Sequence, residues 1–218
     1  MHLAEIWRYP VKSMAGEQLA ATELGRDGVP GDRIVQVRRA LPPPEPGERI
    51  LTARRFPGLL AHRATLGADG EPEVDGRPWQ DASVAADVER AAGAGARLVR
   101  SVDPGDRFDI LPLLVTTDGA IEFLDLDRRR FRPNLLIGGV PGLAERDWEG
   151  RRLRVGEAIV RLDELRERCV MTTYDPDTRA QDPRVLRSIV ERLGGLLGLN
   201  AEVERPGRVR VGDAVEID

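Results

Sequence analysis

Hydrophobic and polar positions alternate with a period of two over much of the first hundred residues, and short turns interrupt them. LAEIWRYPV (3–11) reads as a strand that Pro10 ends or edges. ATELGRDGVPGDRIVQVRRA (21–40) carries two turn signals, Arg26-Asp27-Gly28 and Pro30-Gly31-Asp32, ahead of the β-rich run IVQV. ILTARRFPGLL (50–60) continues the extended pattern, while LPPPEPGE (41–48) is too rich in proline for a helix or a central strand and predicts an exposed loop. The period then changes. DASVAADVERAAG (81–93) predicts a helix with Asp81 or Ser83 as N-cap, Val84, Val88 and Ala91 on its apolar face, and Gly93 as its stop.

Residues 94–110 form a junction that mixes a strand with the turn Asp103-Pro104-Gly105. LPLLVTT (111–117) predicts a short buried strand, GAIEFL (119–124) a brief helical turn, and RPNLLIGG (132–139) with the run 151–173 further strands. DPRVLRSIVERLGG (182–195) predicts a second helix with Asp182 as N-cap, Pro183 in the first turn and Gly194 as its end. Its expected apolar face is Val185, Leu186, Ile189, Val190 and Leu193. LNAEVE and RVRVGDAVEI add two last strands around the Arg205-Pro206-Gly207 turn. No repeat and no strand–helix alternation of the parallel-sheet kind is visible. Many short strands with few helices predict a mainly β or α+β architecture, rich in barrel-like sheet.

Composition narrows the function more than the fold. The 218 residues are 41% hydrophobic and 32% charged, a globular balance, and a net charge of −4 gives no overall electrostatic footprint for nucleic acid. No apolar run approaches a bilayer-spanning length, and the first residues are too charged for a signal peptide. A single cysteine excludes an intrachain disulfide framework and points to a reducing compartment, with the cytoplasm as the expected location. Two histidines far apart, His2 and His62, make a zinc site of the usual spacing unexpected.

The one cysteine lies in RERCVMTTYDPDT (166–178). Cys169 could be a small core hydrophobe, a metal ligand or a nucleophile. Arg166 and Arg168 favour a thiolate, and the threonines and the Asp175-Pro176-Asp177-Thr178 turn supply polar groups beside it. Lys12 is the only lysine among 33 basic residues, either a solvated surface group or a compact charge for a phosphate. Arg132 and Asn134 open a strand and suit a phosphate or a heterocycle, though a locally satisfied turn reads the same way. Arg33 after a tight turn has the same ambiguity.

Taken in order, VKSMAGE, GVPGDR, LTARRFPGLL, RFRPNLLIGG, ERDWEG, RCVMTTYDPDT and PGRVRVGDAV resemble the MOSC proteins that carry an N-terminal β-barrel region, over nearly the whole chain. Within that family the set is similar to the amidoxime-reducing type. The resemblance implies an N-terminal MOSC β-barrel region at 1–100 and a MOSC domain at 101–218. It also implies that Cys169 is the ligand of the metal in a molybdenum–pyranopterin cofactor. Lys12 and Arg33 then match positions at the cofactor's phosphate end, Arg132 and Asn134 match further cofactor contacts, and Asp109 matches an acidic position near the metal. Thr172 and Thr173 would complete the pocket, and Asp109 would be a proton source.

The implied activity is reduction of N-hydroxylated small molecules, with electrons from a separate donor protein. One cysteine is too few for a cysteine-ligated iron–sulfur cluster, and no dinucleotide fingerprint is present. The alternative the family offers is a sulfur or molybdenum-cofactor carrier that uses Cys169 as a persulfide. Pyridoxal phosphate binding is a further family-level expectation, and the simplest assembly is a monomer. Two positions depart from the family pattern. Ile110 and Leu111 stand where relatives have small hydroxyl residues, and Arg179 stands where a glycine is usual after DPDT.

Overall fold

Alternation in the first residues makes strand β1 (His2–Arg8), but Leu3 and Ile6, three apart, are both fully buried. A bulge between Leu3 and Glu5 resets the register so that both side chains face the same core. The computed structural model describes residues 1–42 and 47–218, so the centre of the proline-rich loop expected at 41–48 lies outside the described residues. The first half continues with β2 (Glu17–Leu19), β3 (Ala21–Leu24), β4 (Val35–Ala40), β5 (Glu48–Leu51), β6 (Ala64–Leu66), β7 (Pro72–Val74), β8 (Arg77–Pro78), helix α1 (Ala82–Ala92) and β9 (Arg97–Arg100). The extended pattern expected through residue 60 stops at Leu51. Pro57 starts a 3-10 turn, Pro57–Ala61, because its fixed φ suits a first helical position.

Of the two cap candidates for α1, Asp81 is used, its carboxylate accepting from the Ser83 amide at 2.7 Å. The helix lays Val84, Val88 and Ala92 against Val35, Val37 and Leu51, forming one apolar cluster with the sheet β5-β4-β9. A small sheet, β6-β7-β8, lies beside it.

The second half contributes β10 (Leu113–Thr117), α2 (Asp118–Leu124), β11 (Leu135–Gly138), β12 (Arg152–Val155), β13 (Ala158–Glu167), α3 (Pro183–Leu193), β14 (Leu196–Arg205), β15 (Gly207–Arg210) and β16 (Val215–Ile217). The large sheet runs β16-β12-β13-β14-β10-β11-β1-β2, and β3 pairs with β15. The first strands of the chain therefore belong to a sheet built otherwise from residues after 112. The two edges of this sheet also approach each other. Leu3 N donates to Asp213 O (2.9 Å), Gly212 N to Leu3 O (2.8 Å) and Val215 N to Met1 O (3.0 Å), curling the sheet into a barrel-like form without a continuous closing ladder.

Two expectations are corrected here. β10 and β11 pair in parallel, Val115 opposite Leu135, with α2 in the crossover, so the fold does hold one strand–helix–strand unit. On α3, Val185, Ile189 and Leu193 are buried, whereas Val190 is 53% exposed. The buried stripe follows the i, i+4, i+8 row, and Val190 falls on the solvent side of it.

Candidate functional site

The loops that leave β1, β3 and β5 converge on the end of β13, and a cleft of about 820 Å³, counted out to its open mouth, lies between them. Its walls carry seven cationic side chains (Lys12, Arg33, Arg54, Arg130, Arg132, Arg166 and Arg168) against two carboxylates, Asp109 and Glu167. Such a concentration of positive charge in a partly enclosed cleft is a site for an anionic group.

The backbone that presents these side chains is unusual. Ser13, Arg33 and Arg132 adopt left-handed φ values of 77°, 53° and 56° without being glycine. Residues held this way persist where surrounding contacts over-determine them. Those contacts are visible. Lys12 N donates to Val35 O (2.8 Å), the Ser13 hydroxyl accepts from Ala53 N (3.0 Å), and Arg33 N donates to Tyr9 O (2.8 Å).

Asp32 is the buried hub. Its carboxylate accepts from Tyr9 N (2.7 Å) and from the Asn134 carboxamide (3.2 Å), and it pairs with the Arg33 guanidinium. Asn134 spends both ends of its carboxamide on bracing: Oδ1 accepts from Leu114 N (3.2 Å) and Nδ2 also donates to Trp7 O (3.3 Å). It joins β1 to β10 at the cleft floor.

Cys169 follows β13, caps the 3-10 turn Val170–Thr173 and lines the cleft half-buried. The Arg54 guanidinium lies within hydrogen-bonding reach of its sulfur. Burial works against charge on Arg54, but Cys169 and Asp109 more than offset this and raise its pKa. Asp109 is bound by Lys12 at 3.1 Å, Arg54 at 2.5 Å and Arg166 at 3.2 Å. Burial opposes ionisation of Asp109, yet Lys12, Arg54 and Arg166 together hold its carboxyl at about 2. In this arrangement Asp109 is the counter-ion of three cations.

Arg168 donates to Phe131 O (2.7 Å), and its guanidinium lies 5.4 Å from the Phe131 ring centroid. Burial lowers its pKa to about 10, and its Nε is buried with no hydrogen-bond partner in the protein. An orphaned donor in a cationic wall is what an added acceptor would satisfy.

Residues 1–103 match the family described as MOSC N-terminal beta barrel domain, and residues 115–216 match the MOSC domain family. The chain belongs to the MOSC family. Among its curated relatives, human mitochondrial amidoxime reducing component 2 is 33% identical over 128 residues, 49% of this chain and 37% of the relative. Human mitochondrial amidoxime-reducing component 1 is 30% identical over 139 residues, 55% of this chain and 41% of the relative. The matched stretches thus span well under half the length of either relative. The crystal structure of the YuaD protein from Bacillus subtilis shares the fold, with a TM-score of 0.52 over 99% of this chain and 94% of that one at 15% identity.

In this MOSC protein the cleft brings together Cys169, Asp109, Lys12, Arg33, Arg132 and Asn134. It does not bring in Thr172 or Thr173. Both are buried, and their hydroxyls donate to the carbonyls of Cys169 (2.9 Å) and Val170 (2.6 Å) within their own turn. Sequence reasoning assigned no role to Asp32, Arg54 or Asn200. Asn200 accepts from Arg166 at 3.2 Å. The Arg54-Arg55 pair and the acid preceding Arg33 were the available signals. The thiol, the excess of cations and the orphaned Arg168 Nε together suit a phosphate-bearing, thiolate-ligated metal cofactor.

Proposed function

We propose that this MOSC protein holds the molybdenum cofactor in the Cys169 cleft and reduces N-hydroxylated compounds with electrons from a separate redox protein. One observation carries the reading: the only thiol of the chain stands half-buried among seven cationic side chains. The names of the human relatives, which describe amidoxime reduction, support it. In this reading Cys169 ligates the metal, while Lys12 and Arg33 neutralise the cofactor's phosphate. Arg132 orients the cofactor, with Asn134 bracing the floor beneath it. When bound, the cofactor supplies the two-electron chemistry that removes oxygen from an N–OH group.

The residues of the chain bind, orient and screen. Lys12 exchanges its ion pair with Asp109 for a phosphate, Arg54 stays beside the thiolate, and Arg168 Nε gains an acceptor. The protons that convert the released oxygen to water enter from solvent at the open mouth, where Asp109 is a carboxylate able to relay them. Residues on both sides of position 100 line the cleft, Lys12, Arg33 and Arg54 before it and Arg132 and Cys169 after it. The division into units 1–100 and 101–218 is a proposal from the sequence, with β1, β2 and β3 crossing into the sheets of the second unit.

No helix among the described residues is long and apolar enough to cross a membrane. We assign the cytoplasm on the cysteine count, and cell fractionation tests that assignment. Pyridoxal phosphate binding is a family-level expectation, and no observation at the cleft favours it over the molybdenum reading.

The test is molybdenum and pterin content of protein made in a host that synthesises the cofactor, beside Cys169→Ser. Near-stoichiometric metal in the wild type and its loss in the variant support the reading. Turnover of a benzamidoxime-type substrate with an added electron donor then extends it. Pterin retained independently of Cys169 favours a carrier, and absence of both groups from folded protein overturns the assignment.

A further inference from the structure

A second cleft lies on the other side of Arg132. It measures about 1050 Å³ out to its mouth and shares only Arg130, Arg132 and Met171 with the Cys169 cleft. Its floor is aromatic. Trp7 near the end of β1 and Tyr9 just after it stack with ring centroids 6.2 Å apart and planes 11° from parallel. Their polar tips are already used, the Trp7 indole donating to Glu5 Oε2 (2.7 Å) and the Tyr9 hydroxyl to Pro133 O (3.1 Å). Trp7 is the part-exposed ring and offers its surface, whereas Tyr9 and Tyr174 line the wall nearly buried. Gly16 lines the same floor, and a side chain there would collide with the Arg8 carbonyl and the Tyr9 ring, so the chain passes closely beneath the stack.

The charged groups of this cleft are all arginines: Arg63, Arg129, Arg130 and Arg132, with no carboxylate in the lining. Two of them are neutralised from outside, Arg129 by Asp127 and Asp177 and Arg130 by Asp175 at 2.8 Å. Among the described residues Arg63 and Arg132 have no carboxylate partner, and the Arg132 guanidinium lies flat over Tyr9, 4.2 Å from the ring centroid. The left-handed backbone of Arg132 fixes that placement.

We propose that this cleft is a binding site for an aromatic carboxylate, its ring against the part-exposed Trp7 and its carboxylate between Arg63 and Arg132. Guanidinium forks match a planar carboxylate in geometry, and stacked rings match a planar aryl group. The site shares Arg132 with the Cys169 cleft.

Calorimetric titration with 2-naphthoate tests this, beside its uncharged analogue 2-naphthamide and the ringless anion acetate. Naphthoate is expected to bind one to one, with the amide and acetate weaker by roughly tenfold or more, since each lacks one of the two matched features. Arg63→Gln, at an exposed position, is expected to weaken naphthoate by about tenfold, the size of a lost charge-assisted contact, with Tm and molybdenum content unchanged. Lys12→Ala, which alters only the other cleft, is expected to leave naphthoate affinity where it was. No naphthoate binding, equal affinity for the amide, indifference to Arg63→Gln, or loss of binding in Lys12→Ala would each overturn the proposal. The last would move the anion into the Cys169 cleft.

Discussion

The two clefts that meet at Arg132 handle the same residue type in opposite ways. In the Cys169 cleft the cations come with counter-ions supplied by the chain: Asp109 is gripped by three of them, and Asp32 is buried against Arg33. In the Trp7–Tyr9 cleft, Arg132 lies over the Tyr9 ring and Arg63 lines the wall, with no carboxylate in the lining. Like charges brought together cost stability unless something of opposite sign is brought with them. The first cleft is therefore stable on its own and must exchange an internal carboxylate for an anion. The second leaves its cations for an incoming group.

The largest expected effect would break both clefts at once. Asp32 is fully buried and holds Tyr9 for one cleft while anchoring Arg33 and Asn134 for the other. Asp32→Asn leaves a partly buried guanidinium without its partner and is expected to cost about 3 kcal/mol in urea denaturation. A cost under about 1 kcal/mol would show that Arg33 finds another counter-ion.

A smaller effect separates the clefts by pH. The Asp109 carboxyl is depressed from its ordinary 3.8 to about 2, so its stabilisation is fully present above 3.8 and is lost as pH falls through 2. Its side chain is 34% exposed, and after allowance for solvent screening the contribution is about 1 kcal/mol. Asp109→Asn is expected to be less stable than wild type by that amount at pH 7 and equal to it near pH 2, with naphthoate affinity unchanged at pH 7. A stability gap that persists at pH 2 would mean packing, not charge, is lost.

The smallest effect is expected outside both clefts. Arg179 adopts φ of 63°, a left-handed backbone that favours glycine, and Arg179→Gly is expected to gain about 0.5–1 kcal/mol. Thermal denaturation would register this as a small rise in Tm.

What the sequence made legible was local. α1 and α3 were readable because Asp81, Asp182, Pro183, Gly93 and Gly194 mark their ends through short-range chemistry. The apolar run LPLLVTT was readable as a strand, but its parallel partner was not, since pairing direction depends on residues nearly twenty positions away. The same limit applies at the site. The ordered motifs collected Cys169, Lys12, Arg33, Arg132 and Asn134, which the fold does gather. Closeness in sequence to Cys169 misled for Thr172 and Thr173, because a 3-10 turn bonds their hydroxyls to its own carbonyls. The Asp32 hub was hidden because a buried acid and an exposed turn acid look alike until Tyr9 and Asn134 close over it.

The strand that carries Trp7 also sets an order of events during synthesis. β1 pairs with residues 135–138, and its first residues bond to 212–215. Residues through 215 must leave the ribosome before the large sheet can complete, so its contacts are of high sequence separation and its assembly is slow. Until then β1 exposes an unpaired edge and the side chains of Leu3 and Ile6, a form open to chaperones and to aggregation. A cofactor that needs Lys12 and Cys169 together would meet a finished site only once these distant strands have paired.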